Sequence, residues 1–130
     1  MYAMRRRSSR PGAVLYALRY ASKCGPARLR QLVSILLDNA VRHAPAGSRV
    51  TVAAGPGAWL TVSDEGPGLD PASLAHVFDR FWRAPDAPPG GTGLGLAIAR
   101  WIAERHGGTV TAANRPDGRG AVFTVRLPGA

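Results

Sequence analysis

The chain has 130 residues, 45% of them hydrophobic, with 17 basic and 8 acidic side chains, a formal net charge of +9 and one cysteine. That length fits one domain with a real core. A lone Cys24 excludes a disulfide framework or a cysteine-based metal site within these residues, and no apolar run approaches the roughly 20 residues of a membrane span.

The charge is unevenly placed. Arg5, Arg6, Arg7, Arg10, Arg19 and Lys23 fall in residues 1–24 and no acid does, which leaves residues 25–130 at only +3. Residues 1–12 show no period and are expected to be disordered. Residues 13–22, AVLYALRYAS, fit either a strand or a helix. Residues 1–24 therefore read as a basic arm, partly disordered or serving as a substitute edge strand, ahead of a domain over residues 25–130. No secretory cleavage pattern comes after the arginines, so the expected location is cytoplasmic. A basic arm suits nucleic acid, anionic lipid or an acidic partner. No recognition motif or aromatic interleaving points to a specific nucleic acid.

From Pro26 the pattern becomes regular. Leu29, Leu32, Val33, Leu36, Leu37, Ala40 and Val41 recur at helical spacing, and Pro45 and Gly47 stop the helix. RVTVAAG and AWLTVSD alternate around a GPG turn and read as a hairpin. Asp70 and Pro71 are a helix start signal for DPASLAHVFDRFW, which makes a second helix. RAPDAPPGG is a loop. A third helix is expected over residues 92–106, ended by Gly107 and Gly108. GTVTAANR and AVFTVRLP close the chain as a second hairpin. The order predicts an α+β fold: a two-layer sandwich with a mixed, mostly antiparallel sheet covered on one face by three helices.

Three segments carry chemistry. The run GGTGLGLAIAR places glycines where a helix begins. Such residues let backbone N–H groups approach a phosphate at the positive end of the helix dipole, and they equally allow close helix packing. In DEGPGLD, Asp64 ends a strand and is placed either to accept a hydrogen bond from an exocyclic amine such as adenine N6 or to sit in a solvated turn. In LLDNAVRHAP, Asn39 interrupts a helix of Leu and Val. Its amide oxygen suits Mg²⁺, Arg42 one turn on suits a phosphate, and His43 suits a base.

In this order and spacing the segments resemble the ATP-binding catalytic domain of bacterial sensor histidine kinases, a family grouped with type II topoisomerases, mismatch-repair ATPases and the 90-kilodalton heat-shock chaperones. RLRQLVSILLDNAVRHAPAG is similar to the family's N box, VSDEGPGLD to its G1 box, VFDRFWRA to its F box and GGTGLGLAIAR to its G2 box. The resemblance covers residues 25–128. It implies that Asn39 holds Mg²⁺, that Arg42 contacts phosphate and that His43 packs against adenine. It further implies that Asp64 binds the adenine amine in a pocket shaped by Gly66 and Gly68. Gly91, Thr92, Gly93, Leu94, Gly95 and Leu96 would line the phosphates, residues 83–91 would form a lid based on Phe78 and Phe81, and Arg80 and Arg83 would reach the γ-phosphate or a partner.

Two departures shape the functional expectation. His43, His76 and His106 lack the acidic setting of the family's phosphoacceptor. The chain is thus expected to act as the catalytic half of a split kinase, a monomer on its own, serving a histidine on a separate chain and through it a response regulator. The alternatives are an ATP-binding regulatory module without transfer, a fragment of a longer sensor kinase, or a serine kinase of the anti-sigma-factor type. Ile35 stands where the family usually has a second Asn and its hydrolytic relatives a Glu, which argues against water activation.

Overall fold

The computed structural model describes residues 2–5, 27–55, 59–83, 93–116 and 119–128. Within them lie β1 (Tyr2–Arg5), α1 (Ala27–His43), β2 (Arg49–Gly55), β3 (Trp59–Ser63), α2 (Gly95–Arg105), β4 (Thr109–Asn114) and β5 (Ala121–Arg126). The strands form one sheet in the order β1-β2-β3-β5-β4, and each of its pairings is antiparallel.

Register explains why one face is apolar. Val52 pairs with Val62, Val62 with Phe123 and Phe123 with Ala112. Ala54, Leu60, Val125 and Val110 make the next such row. Side chains alternate between sheet faces, so these rows share a face. Against it lie Leu29, Leu32, Val33, Leu36, Leu37 and Ala40 of α1 and Ala99, Ile102 and Ala103 of α2, all buried. The two helices also pack on each other. The opposite face carries Thr61, Thr111 and Thr124, none of them buried.

This asymmetry makes a test. Val62 is fully buried, and Val62→Ala should cost about 2 kcal/mol through lost transfer energy and a residual cavity. Thr61→Ala, one residue away on the other face, should stay within about 0.5 kcal/mol. Denaturant midpoints of the two variants check the assignment of faces.

The α+β two-layer fold is as expected, but two elements differ. The segment after Asp70 is not an α-helix. Asp70 does act as a cap, accepting the Ala72 N–H at 3.0 Å through Oδ1. Beyond it the backbone runs as a chain of three-residue turns: Ser73, His76 and Asp79 donate N–H to Asp70, Ser73 and His76 carbonyls at 2.7, 2.8 and 2.9 Å. A segment of this length is at the margin of helix stability in water. Tertiary anchoring decides it: Val77 and Phe78 are buried, and the Phe78 ring meets the Phe123 ring edge-on, with centroids 6.1 Å apart. Two helices, not three, therefore cover the sheet among the described residues.

The second difference is at the sheet edge. Tyr2–Arg5, expected to be patternless, is a strand, paired with β2 from Tyr2 opposite Val52 to Arg5 opposite Arg49. Backbone pairing at an edge needs no hydrophobic alternation of its own. The substitute strand considered at residues 13–22 lies outside the described residues.

Candidate functional site

Helix α1 joins the site's parts. Ile35, Asn39 and His43 succeed one another at i, i+4 spacing, about 6 Å apart along one stripe. At the Ile35 level the stripe meets the start of α2: a Cβ on Gly95 would lie 3.5 Å from Ile35 Cγ2. At the His43 level it meets the DEGPG loop: a Cβ on Gly66 would lie 2.6 Å from the His43 carbonyl oxygen. Asn39, half-buried, sits between the two junctions, one turn from each. Ile35 packs against the core, so its place on the stripe is apolar.

Arg42 and His43 face their own helix. Arg42 Nη2 lies 3.1 Å from Asp38 Oδ2, an exposed i, i+4 pair of a kind worth about 0.3–0.5 kcal/mol and so weak enough to exchange partners at little cost. Asp38 is thus Arg42's partner. His43 Nδ1 is 2.8 Å from the Asn39 carbonyl oxygen. Both basic side chains lie in the last turn of α1, where the helix dipole favours them.

Asp64 is the one buried charged residue among those described, at 3% exposure. Its Oδ1 accepts the Gly66 N–H at 2.8 Å and the Ala121 N–H at 3.4 Å, and its own N–H donates to the Ala121 carbonyl at 3.0 Å. A buried carboxylate requires such donors. They orient it at the strand end, and its burial excludes a solvated turn.

At the start of α2, Gly93 has φ +72° and stands against the Phe81 backbone, where an added Cβ would come within 2.6 Å of Phe81 C and Cα. This glycine serves close approach. Phe81 itself has φ 64°, rare for a bulky residue, and its N–H donates to the Gly93 carbonyl at 2.7 Å. Phe81 is thus held by its backbone, while its ring is 66% exposed with the Arg80 guanidinium 5.5 Å from its centroid. Phe78 anchors through its ring instead. Helix α2 begins after Leu94 with no side-chain cap and no acid in its first turn. A helix N-terminus of this kind receives an anion well. Leu96 is half-buried and packs on the core, and Arg83 is exposed. Gly91, Thr92 and all of the expected lid except Arg83 lie outside the described residues.

Residues that sequence reasoning missed hold the Asp64 loop. Asn114, at the end of β4, accepts the Leu69 N–H on Oδ1 and donates Nδ2–H to the Leu69 carbonyl, both at 2.7 Å. Gly68 has φ +77°, and its missing Cβ would lie 2.9 Å from Asn114 Oδ1. Arg115 Nη1 donates to the Asp64 carbonyl at 3.2 Å. The signal for Asn114 was faint: an Asn inside a strand pattern, where that residue is depleted.

The donor set tests what the site can hold. Among the described residues no three His, Cys, Asp or Glu groups converge on one point. Asn39 supplies a single neutral oxygen, which suits Mg²⁺ arriving with phosphate and water ligands of its own. The site thus offers a buried carboxylate, an acceptor for an amine, at one end of the stripe, and a helix N-terminus without a side-chain cap, suited to an anion, at the other.

A family model described as "Histidine kinase-, DNA gyrase B-, and HSP90-like ATPase" matches residues 24–130. The chain is 46% identical over 110 residues to the signal transduction histidine-protein kinase AfsQ2 of Streptomyces coelicolor, covering 82% of this chain and 20% of that protein. It thus spans about a fifth of the length of that relative. Among solved structures, the mycobacterial sensor histidine kinase MprB superposes with a TM-score of 0.74 at 30% identity, covering 98% of each chain. Full-length ShkA in complex with AMPPNP gives 0.63 at 28% identity, covering 92% of this chain and 29% of that one.

Proposed function

The chain belongs to the histidine kinase-, DNA gyrase B- and HSP90-like ATPase family, and on that footing we propose that it binds ATP with Mg²⁺ and donates the γ-phosphoryl group to a histidine on a partner chain. The observation that carries this reading is the α1 stripe, which joins the buried Asp64 loop to the N-terminus of α2 with Asn39 between them. Asp64 receives the adenine amine, on a loop whose Gly66 and Gly68 shape the base end by packing closely against the His43 carbonyl and the Asn114 amide. His43 closes the base end. Arg42 leaves Asp38 for a phosphate. Gly93, Leu94, Gly95 and Leu96 offer backbone N–H groups to the phosphate chain, a role the proposal extends to Gly91 and Thr92 outside the described residues, and Arg80 and Arg83 face the transferred group or the acceptor. Bound Mg²⁺ would neutralise charge on the phosphates, held on the protein side by Asn39. Phosphoryl transfer of this kind depends on positioning and charge stabilisation, and these residues supply both. A structural neighbour supports the same reading: the ShkA structure that resembles this chain is a complex with AMPPNP.

None of His43, His76 and His106 stands in the acidic sequence setting of the family's phosphoacceptor, which supports an acceptor on a partner chain and, beyond it, a response regulator. We propose further that residues 25–130 form the catalytic unit, acting as a monomer in the cytoplasm, and that residues 1–24 are a basic arm whose Tyr2–Arg5 supplies the edge strand β1 of its sheet. Among the described residues no helix is long and apolar enough to cross a membrane.

The test is transfer of label from γ-labelled ATP and Mg²⁺ to candidate acceptor proteins bearing a histidine hairpin. Acid-labile, base-stable label on the acceptor is expected, together with about tenfold weaker ATP binding in Asp64→Ala. ATP binding without transfer to any acceptor favours the regulatory reading, which the apolar Ile35 motivates. No ATP binding at millimolar concentration overturns both.

A further inference from the structure

We propose that Asn114 is a positioning residue for base recognition: a strand-end amide that sets the adenine selectivity of Asp64 by clamping the far end of its loop. The proposal rests on the nucleotide reading above and adds to it a residue 50 positions from Asp64 in sequence, outside the segments similar to the N, G1, F and G2 boxes.

The loop from Asp64 to Leu69 is gripped at both ends by one hairpin. At the near end, β5 exchanges hydrogen bonds with Asp64: Asp64 N–H to the Ala121 carbonyl at 3.0 Å and Ala121 N–H to Asp64 Oδ1 at 3.4 Å. At the far end, no strand continues the ladder among the described residues. The Asn114 amide stands in for one, taking both the N–H and the carbonyl of Leu69 at 2.7 Å. Only one orientation of the amide satisfies both groups, and two hydrogen bonds to one residue fix direction as well as distance. Gly68 is part of the device, since a Cβ there would lie 2.9 Å from Asn114 Oδ1. Between the clamps, Gly66 donates its N–H to Asp64 Oδ1 at 2.8 Å, so the path of the loop sets the orientation of the carboxylate. With Oδ1 occupied in this way, an amine must be read by the other oxygen, and the carboxylate's angle decides whether it is. Loosening Leu69 loosens Gly66 and then the carboxylate.

A structural role alone predicts that removing Asn114 weakens all nucleotides together, because only the folded fraction changes. A positioning role predicts loss of selectivity, because the carboxylate recognises one group of the base. Inosine triphosphate is the probe: it carries a carbonyl where adenine carries the amine, so it gains nothing from a well-placed Asp64. Calorimetric titration of the chain with Mg-ATP and Mg-ITP should give about tenfold or greater preference for ATP in the wild type. In Asn114→Ala, ATP should bind about fivefold more weakly while ITP stays within about twofold, reducing the preference to about twofold. Asn114→Asp preserves shape and the acceptor for the Leu69 N–H but sets an oxygen against the Leu69 carbonyl. It should show the same loss of preference and covers the case in which the alanine variant does not fold. An unchanged ATP-to-ITP ratio in a folded variant overturns the proposal, as does a wild type that binds both equally. A wild type that binds neither overturns the nucleotide reading itself, and so is distinguishable from failure of this inference alone.

Discussion

Asn39→Ala is expected to lower phosphoryl transfer at least about 100-fold, equivalent to roughly 2.7 kcal/mol of transition-state stabilisation, while leaving the fold intact. The size reflects the lack of a substitute. Asn39 stands on a stripe whose preceding member, Ile35, is apolar and packed on the core, and no cluster of three acidic or His/Cys groups stands among the described residues to hold a cation instead. On the proposed function, one lost amide oxygen therefore removes the protein's own ligand to the metal. The fold should tolerate the change because Asn39 is half-buried and lies outside the core. The hydrogen bond His43 makes to it uses the Asn39 backbone carbonyl, which alanine retains. Alanine is also the better helix former. Single-turnover transfer rates measured across a Mg²⁺ titration, with melting temperature as the control for folding, give the test. A rate within about threefold of wild type at saturating Mg²⁺ would remove Asn39 from the metal site.

Much of this arrangement was legible in the residues, and the exceptions share a cause. The buried face of α1 and the alternating strands were readable because burial imposes a period on the chain: Leu32, Leu36 and Ala40 at helical spacing, Val50 and Val52 at strand spacing. The glycines were readable as special but not as to purpose. Gly93 proves to need its left-handed φ and its missing Cβ for Phe81, a contact between segments that no local pattern encodes. The same holds for β1, which joins the sheet by backbone pairing with β2, and for the turns after Asp70, where a helix start signal was overruled by Val77 and Phe78 seating in the core. Asn114 is the extreme case, because its partner Leu69 is 45 residues away and offers only backbone. Sequence periodicity reports which side chains leave water. It is silent on which backbone groups a distant side chain will satisfy.

Gly120→Ala is expected to cost about 3 kcal/mol or more and to weaken nucleotide binding at least about tenfold in whatever fraction remains folded. Two effects combine at this position. The residue has φ +97°, and a side chain in the left-handed half of backbone space costs about 1–2 kcal/mol by itself. The larger effect is collision: an added Cβ would run into the Asp64 carbonyl oxygen and lie 2.7 Å from its carbonyl carbon and 3.1 Å from Glu65 Cα. All three are backbone atoms, so no rotamer change relieves the contact. Either the β4–β5 turn or the strand end bearing Asp64 must move, and both are tied: Arg115 N–H donates to the Gly120 carbonyl at 2.9 Å, and Asp64 is bonded to Ala121. Gly47→Ala separates the two effects. Gly47 has φ +79° but nothing within 4 Å of where its Cβ would be, so it should show the conformational cost alone, about 1 kcal/mol, with nucleotide affinity unchanged. Denaturant unfolding and ATP titration of both variants check the difference. If Gly120→Ala lies within about 1 kcal/mol of Gly47→Ala and binds ATP as the wild type does, the turn does not support Asp64 and the base end of the site is held by other contacts.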